Sequence, residues 1–99
     1  MLQFKEGVQL TVTKAVNEIL YGVEAVYQGF NVPCVVTSGT DGVHGKESKH
    51  YTGEALDFRI RDLKPDQRDT LVKLCQQRLG QGFDVVLEQT HLHVEWDLK

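Results

Sequence analysis

Apolar residues recur along this chain with two different periods. From Leu10 to Phe30, Val12, Ala15, Val16, Ile19, Leu20, Val23, Val26 and Tyr27 fall at helical spacing and predict one long amphipathic helix. Gly22 lies inside it, where glycine costs up to ~1 kcal/mol against alanine, so it marks close packing against another element. Gly29 is the expected stop. The β-branched run Val32 to Ser38 predicts a strand, with Pro33 near its start. Gly39 to Gly53 holds four glycines and no apolar periodicity, and predicts a long loop of the kind that carries function. "EALDFRI" alternates: Leu56, Phe58 and Ile60 point one way, and Ala55, Asp57 and Arg59 the other.

Pro65 opens a second helix with Leu71, Leu74, Cys75 and Leu79 as its apolar stripe, and Gly80 ends it. "FDVVLE" and "HLHVEWD" predict two strands joined by a tight turn near Gln89-Thr90. On the last, Leu92, Val94 and Trp96 share one face, and His91, His93 and Glu95 the other. The expected architecture is therefore α+β: a small antiparallel sheet with helices on one face and a polar, open second face.

Ninety-nine residues make one domain, 1–99, whose modest core a bound metal would help to stabilise. A net charge of −3 argues against a duplex nucleic-acid partner. No apolar run reaches the ~20 residues of a membrane span, and "MLQFKEGVQL" lacks the apolar core of a signal peptide. Cys34 and Cys75 sit in apolar contexts and read as buried free thiols, with a single disulfide as the alternative.

The polar positions carry the chemistry. His44, His50, His91 and His93 all fall in the loop or on the polar sheet face, which also holds Asp57. A carboxylate within so apolar a strand needs a partner. The plainer alternative for Asp57 is a surface pair with Arg59 or a lysine, and for "HLHVEW" an edge strand with its polar residues outward. Two histidines, one carboxylate and an open position suit a hydrolytic zinc site, and also occur in non-haem iron oxygenases.

"SKHYTGEALDFR" followed by "HLHVE" resembles the zinc D-Ala-D-Ala carboxypeptidases and L-Ala-D-Glu endopeptidases of peptidoglycan, phage endolysins among them, which share a fold with the Hedgehog signalling domain. The family pattern Ser-x-His-x-x-Gly-x-Ala-x-Asp is met at Ser48, His50, Gly53, Ala55 and Asp57, and the resemblance runs from about Val35 to Trp96. It implies a Hedgehog/DD-peptidase-like fold, Zn2+ as cofactor, and His50, Asp57 and His93 as its ligands. It further implies that Ser48 supports the loop around His50, and that Glu95 supports His93 from outside the ligand set.

The chain departs from the family at the general base. Thr90 stands where many relatives have an acid, which leaves Glu88 and its rival His91. His44, or else Arg59, would stabilise the oxyanion or hold a substrate carboxylate. The resemblance implies a monomeric, phage-encoded or bacterial hydrolase acting on peptidoglycan stem peptides at the cell wall. The alternative is a binding or structural module of the same fold, stabilised by its metal. An iron oxygenase is disfavoured, since that family's barrel is larger than 99 residues can build.

Overall fold

A computed structural model of the chain describes residues 1–40 and 54–97. They form an α+β fold in the order β1 (Leu2–Phe4), α1 (Lys14–Gly29), β2 (Cys34–Ser38), β3 (Ala55–Arg59), α2 (Pro65–Leu79), β4 (Phe83–Leu87) and β5 (His91–Trp96). The five strands make one sheet in the order β1-β2-β3-β5-β4.

The sheet is mixed, which corrects the expected antiparallel one. β1 runs parallel to β2, with Leu2 opposite Cys34 and Phe4 opposite Val36. Parallel neighbours need a long crossover, and α1 supplies it. The other pairings are antiparallel. The register between β2 and β3 shifts between Val36 and Ser38.

α1 starts later than the periodicity predicts. Thr13 is its N-cap, with Oγ1 accepting from the Val16 N–H at 3.0 Å. A threonine cap satisfies a donor that the helix cannot, and the β-branched Thr11-Val12-Thr13 run favours extended backbone before it. Val12 is consequently 79% exposed rather than part of the buried stripe. Val16, Ile19, Val23, Val26 and Tyr27 are buried as expected.

In α2, Leu71 and Cys75 are buried, Leu79 is half-buried, and Leu74 is 40% exposed, which takes it off the expected stripe. Gly22 is the contact between the helices: a Cβ there would stand 2.7 Å from Leu79 Cδ2.

Both helices cover one sheet face. Val36, Leu56, Phe58, Leu92 and Val94 from the strands, with Ile60 just after β3, join the α1 and α2 residues in one buried cluster. Tyr27 reaches across it, with its ring 6.2 Å from that of Phe58 and its hydroxyl donating to the Arg59 carbonyl at 2.9 Å. Cys34 and Cys75 are both buried and free, so the disulfide alternative does not hold. Burial pushes both thiols up to about 12. Among the described residues no helix is long and apolar enough to cross a membrane.

Candidate metal centre on the open sheet face

The side of the sheet away from the helices is a lattice of polar side chains set by strand register. Arg59 lies opposite His91, Asp57 opposite His93, and Ala55 opposite Glu95. β4 extends the rows, placing Val86 beside His93 and Asp84 beside Glu95. Alternation dictates this arrangement: the core residues Leu56, Phe58, Leu92 and Val94 force their chain neighbours to the other face.

Asp57 is the centre of this lattice. Among the described residues it is the one buried charged side chain, 9% exposed. A buried carboxylate is costly unless paired. Here its Oδ1 lies 2.9 Å from His93 Nδ1 and 3.7 Å from His91 Nε2. The surface-pair reading of Asp57 therefore fails. Arg59 instead donates from Nε and Nη2 to Asp62 Oδ2, at 3.2 and 3.0 Å.

His93 is held at both ends. Its Nε2 lies 2.8 Å from Glu95 Oε1. The hydrogen bond to Asp57 is the main cause that raises its pKa above the ordinary histidine value. Burial opposes the rise, and the Glu95 bond adds to it. When the ring is protonated, each of its N–H groups donates to one of the two carboxylates, Asp57 and Glu95.

The same geometry suits a metal ligand. A ligating histidine commonly donates its other ring N–H to a carboxylate, which fixes the ring and raises its basicity. With Nδ1 turned to Asp57 and Nε2 to Glu95, His93 has that arrangement. Ligand atoms ~2.1 Å from a tetrahedral centre lie about 3.4 Å apart. The 2.9 Å Asp57–His93 contact needs only a small opening to admit an ion in place of the shared proton. These donors, one oxygen and one nitrogen, fit zinc.

Of the other expected site residues, His91 is brought beside Asp57, and its Nδ1 meets Thr90 Oγ1 at 3.0 Å. Glu88 follows β4 and is exposed, with its backbone N–H donating to the His91 carbonyl at 2.9 Å. His44, Ser48 and His50, together with Gly53 and most of the expected loop, lie outside the described residues.

A second cluster was missed by the sequence reading. Asp84, Glu95 and Asp97 bring carboxylate oxygens within 4.8 Å of one another, a spacing that a metal ion could bridge. Once the turn at Gln89-Thr90 fixes Leu87 opposite Leu92, the register carries Asp84 to Glu95. The Asp97 N–H then donates to the Gly82 carbonyl at 2.7 Å. Counting outward from the predicted turn would have found this triad. Glu95 belongs to both groups, linking the acidic cluster to His93.

No protein-family model matches this chain, and no curated protein matches it.

Glu95→Gln isolates the support given to His93. The His93 titration midpoint, followed by NMR in metal-free protein, should fall because one anionic acceptor is gone. Zinc affinity should fall about 10–100-fold, the usual effect of losing such a partner. An unmoved midpoint would show that Glu95 does not act on His93 in solution.

Proposed function

We propose that the chain is a zinc-dependent peptidase of the D-Ala-D-Ala carboxypeptidase and L-Ala-D-Glu endopeptidase type, with a Hedgehog/DD-peptidase-like fold, acting on peptidoglycan stem peptides. The observation that carries this reading is the Asp57–His93 pair at 2.9 Å on the open sheet face, with Glu95 behind His93. It gives the two later ligands of the pattern that "SKHYTGEALDFR" and "HLHVE" resemble, and His50 is the third in this reading.

When bound, zinc supplies Lewis-acid polarisation of the scissile carbonyl and a lowered pKa for water. The remaining work belongs to the side chains. His91, 3.7 Å from Asp57, is placed to accept a proton at Nε2 and return it to the leaving amine. Glu88 is its rival as base. It follows the end of β4 and is exposed, whereas His91 is half-buried beside Asp57.

That exposure favours one second reading, a metal-stabilised binding or structural module without catalysis, for example a virion component. Digestion of purified peptidoglycan by zinc-loaded protein separates the two. Chelator-sensitive release of peptides, with masses that identify the bond, is the expected result. Protein holding one zinc per chain and releasing nothing would leave the module reading in place. Between the two bases, His91→Gln should lower turnover more than Glu88→Gln, and the reverse order would exchange their roles.

A further inference from the structure

The sheet ends on two unlike edges. β1 closes one side and is blunted in familiar ways: it is three residues long, and Lys5 follows it. β4 closes the other side. It runs for five residues, carries no lysine or proline, and keeps one unbroken register with β5. A flat, unprotected edge of that kind is a template for pairing with another chain.

Register shows which backbone groups this edge presents. The Glu88 N–H donates to the His91 carbonyl, and the Asp97 N–H to the Gly82 carbonyl. Antiparallel pairs alternate between bonded and non-bonded, so Gly82, Asp84, Val86 and Glu88 turn their backbone polar groups toward β5. Phe83, Val85 and Leu87 turn theirs outward. α2 meets one of these groups, since Gln76 Nε2 donates to the Phe83 carbonyl at 2.7 Å. Among the described residues, the N–H and C=O groups of Val85 and Leu87 have no protein partner.

The same edge has an apolar rim. Val85 and Leu87 pack half-buried against the core from the helix side. Val72, also half-buried, lies one turn before Gln76 and so on the side of α2 that reaches this edge. Val86 is 43% exposed on the open face.

We propose that β4 pairs antiparallel with β4 of a second copy of this chain, about a two-fold axis at Val85. A two-fold contact must be self-complementary, and this edge is so in one central register. Centring the pair on Asp84 would set that carboxylate against itself. Centring it on Val86 would set Asp84 against Glu88. Like charges directly opposite destabilise a sheet. Centring it on Val85 sets Asp84 opposite Val86 and Phe83 opposite Leu87, and Val85 exchanges both backbone bonds with its counterpart. The two rims of Val72, Val85 and Leu87 then meet on the helix side. An axis normal to the sheet keeps both open faces on one side, with the two β5 strands ~14 Å apart, three strand spacings. Such a dimer departs from the monomer that the family resemblance implies, and it does not depend on the peptidase reading.

The contact is short, so association falls in the weak class, with a Kd of roughly 10–100 μM. Sedimentation equilibrium of the full chain up to about 1 mM should show a monomer–dimer transition, and hydrogen exchange at the Val85 and Leu87 amides should slow as the dimer fills. Val86→Asp sets a carboxylate opposite Asp84 and should weaken the dimer about tenfold. Val86→Lys sets an opposite charge there and should strengthen it about threefold. Opposite signs at one exposed position report the register, and an unchanged circular dichroism spectrum would show that both variants fold. A monomer at 1 mM, a dimer on which both substitutions act alike, or a dimer whose Val85 amide exchanges freely would overturn the proposal. Amides that slow only when a stem peptide is added to a monomeric chain would also overturn it, and would give the edge to substrate. Peptidoglycan digestion is read separately, so the contact and the peptidase stand or fall apart.

Discussion

On the proposed zinc-peptidase reading, replacing Asp57 by asparagine should abolish zinc binding and peptide hydrolysis together. The substitution conserves shape. The amide oxygen can still accept from His93 Nδ1–H, so the strand should stay in place. What disappears is a full negative charge at a position only 9% exposed, set 2.9 Å from one ring nitrogen and 3.7 Å from another. A neutral amide is a poor zinc ligand, and the low-dielectric surroundings magnify the difference.

Losing a carboxylate that only supports a ligand costs 10–100-fold in metal affinity, so loss of a ligand itself should cost more than about a hundredfold. Competition against a chromophoric chelator would measure this. Metal binding is coupled to folding in small domains. The rise in melting temperature on adding zinc should therefore shrink in the variant by a corresponding amount. An asparagine variant that binds zinc as tightly as the unaltered chain would remove Asp57 from the ligand set.

The second large effect is expected on the other side of the same strand. Phe58 is fully buried and packs against Tyr27, with ring centroids 6.2 Å apart. Phe58→Ala should destabilise the domain by about 3–5 kcal/mol through lost burial and the cavity left behind. Small domains have only about 5–15 kcal/mol in total, so much of the stability would go. Urea denaturation should show a lower midpoint with an unchanged slope. The loss should reach the Asp57–His93 pair too, because Asp57 is aimed by a strand whose opposite face Phe58 anchors. A cost below about 1 kcal/mol, the ordinary value for a point substitution, would show that this core contact does not hold β3.

Those two substitutions test the two faces that strand alternation made legible. Leu56, Phe58 and Ile60 against Asp57 and Arg59, and Leu92 and Val94 against His91 and His93, could be sorted from the chain alone, because period two leaves no other arrangement once one face is buried. β1 could not be found that way. Leu2–Phe4 is three residues long, and its partner, β2, is parallel and lies beyond α1. So short an element has no period to detect, and its pairing is set by tertiary contact. The start of α1 was misplaced for a local reason: Val12 fits the helical stripe, but the Thr13 cap ends the helix before reaching it. Leu74 fits the stripe of α2 by spacing, yet lies 40% exposed, while Leu71 and Cys75 are buried and Val72 and Leu79 pack against the core's edge. The acidic triad needed strand register rather than periodicity, and so escaped a reading made one strand at a time.

The two cysteines give the domain a built-in clock. Alkylating reagents attack the thiolate, and Cys34 and Cys75 are both sealed in the core with their thiols pushed up to about 12. Neither sulfur can react until the packing around it opens. The rate of labelling therefore counts openings of the core, with Cys34 reporting from β2 beneath α1 and Cys75 from α2. A single cysteine placed on the surface would be modified long before either, so one chain can carry a probe outside and two timers within.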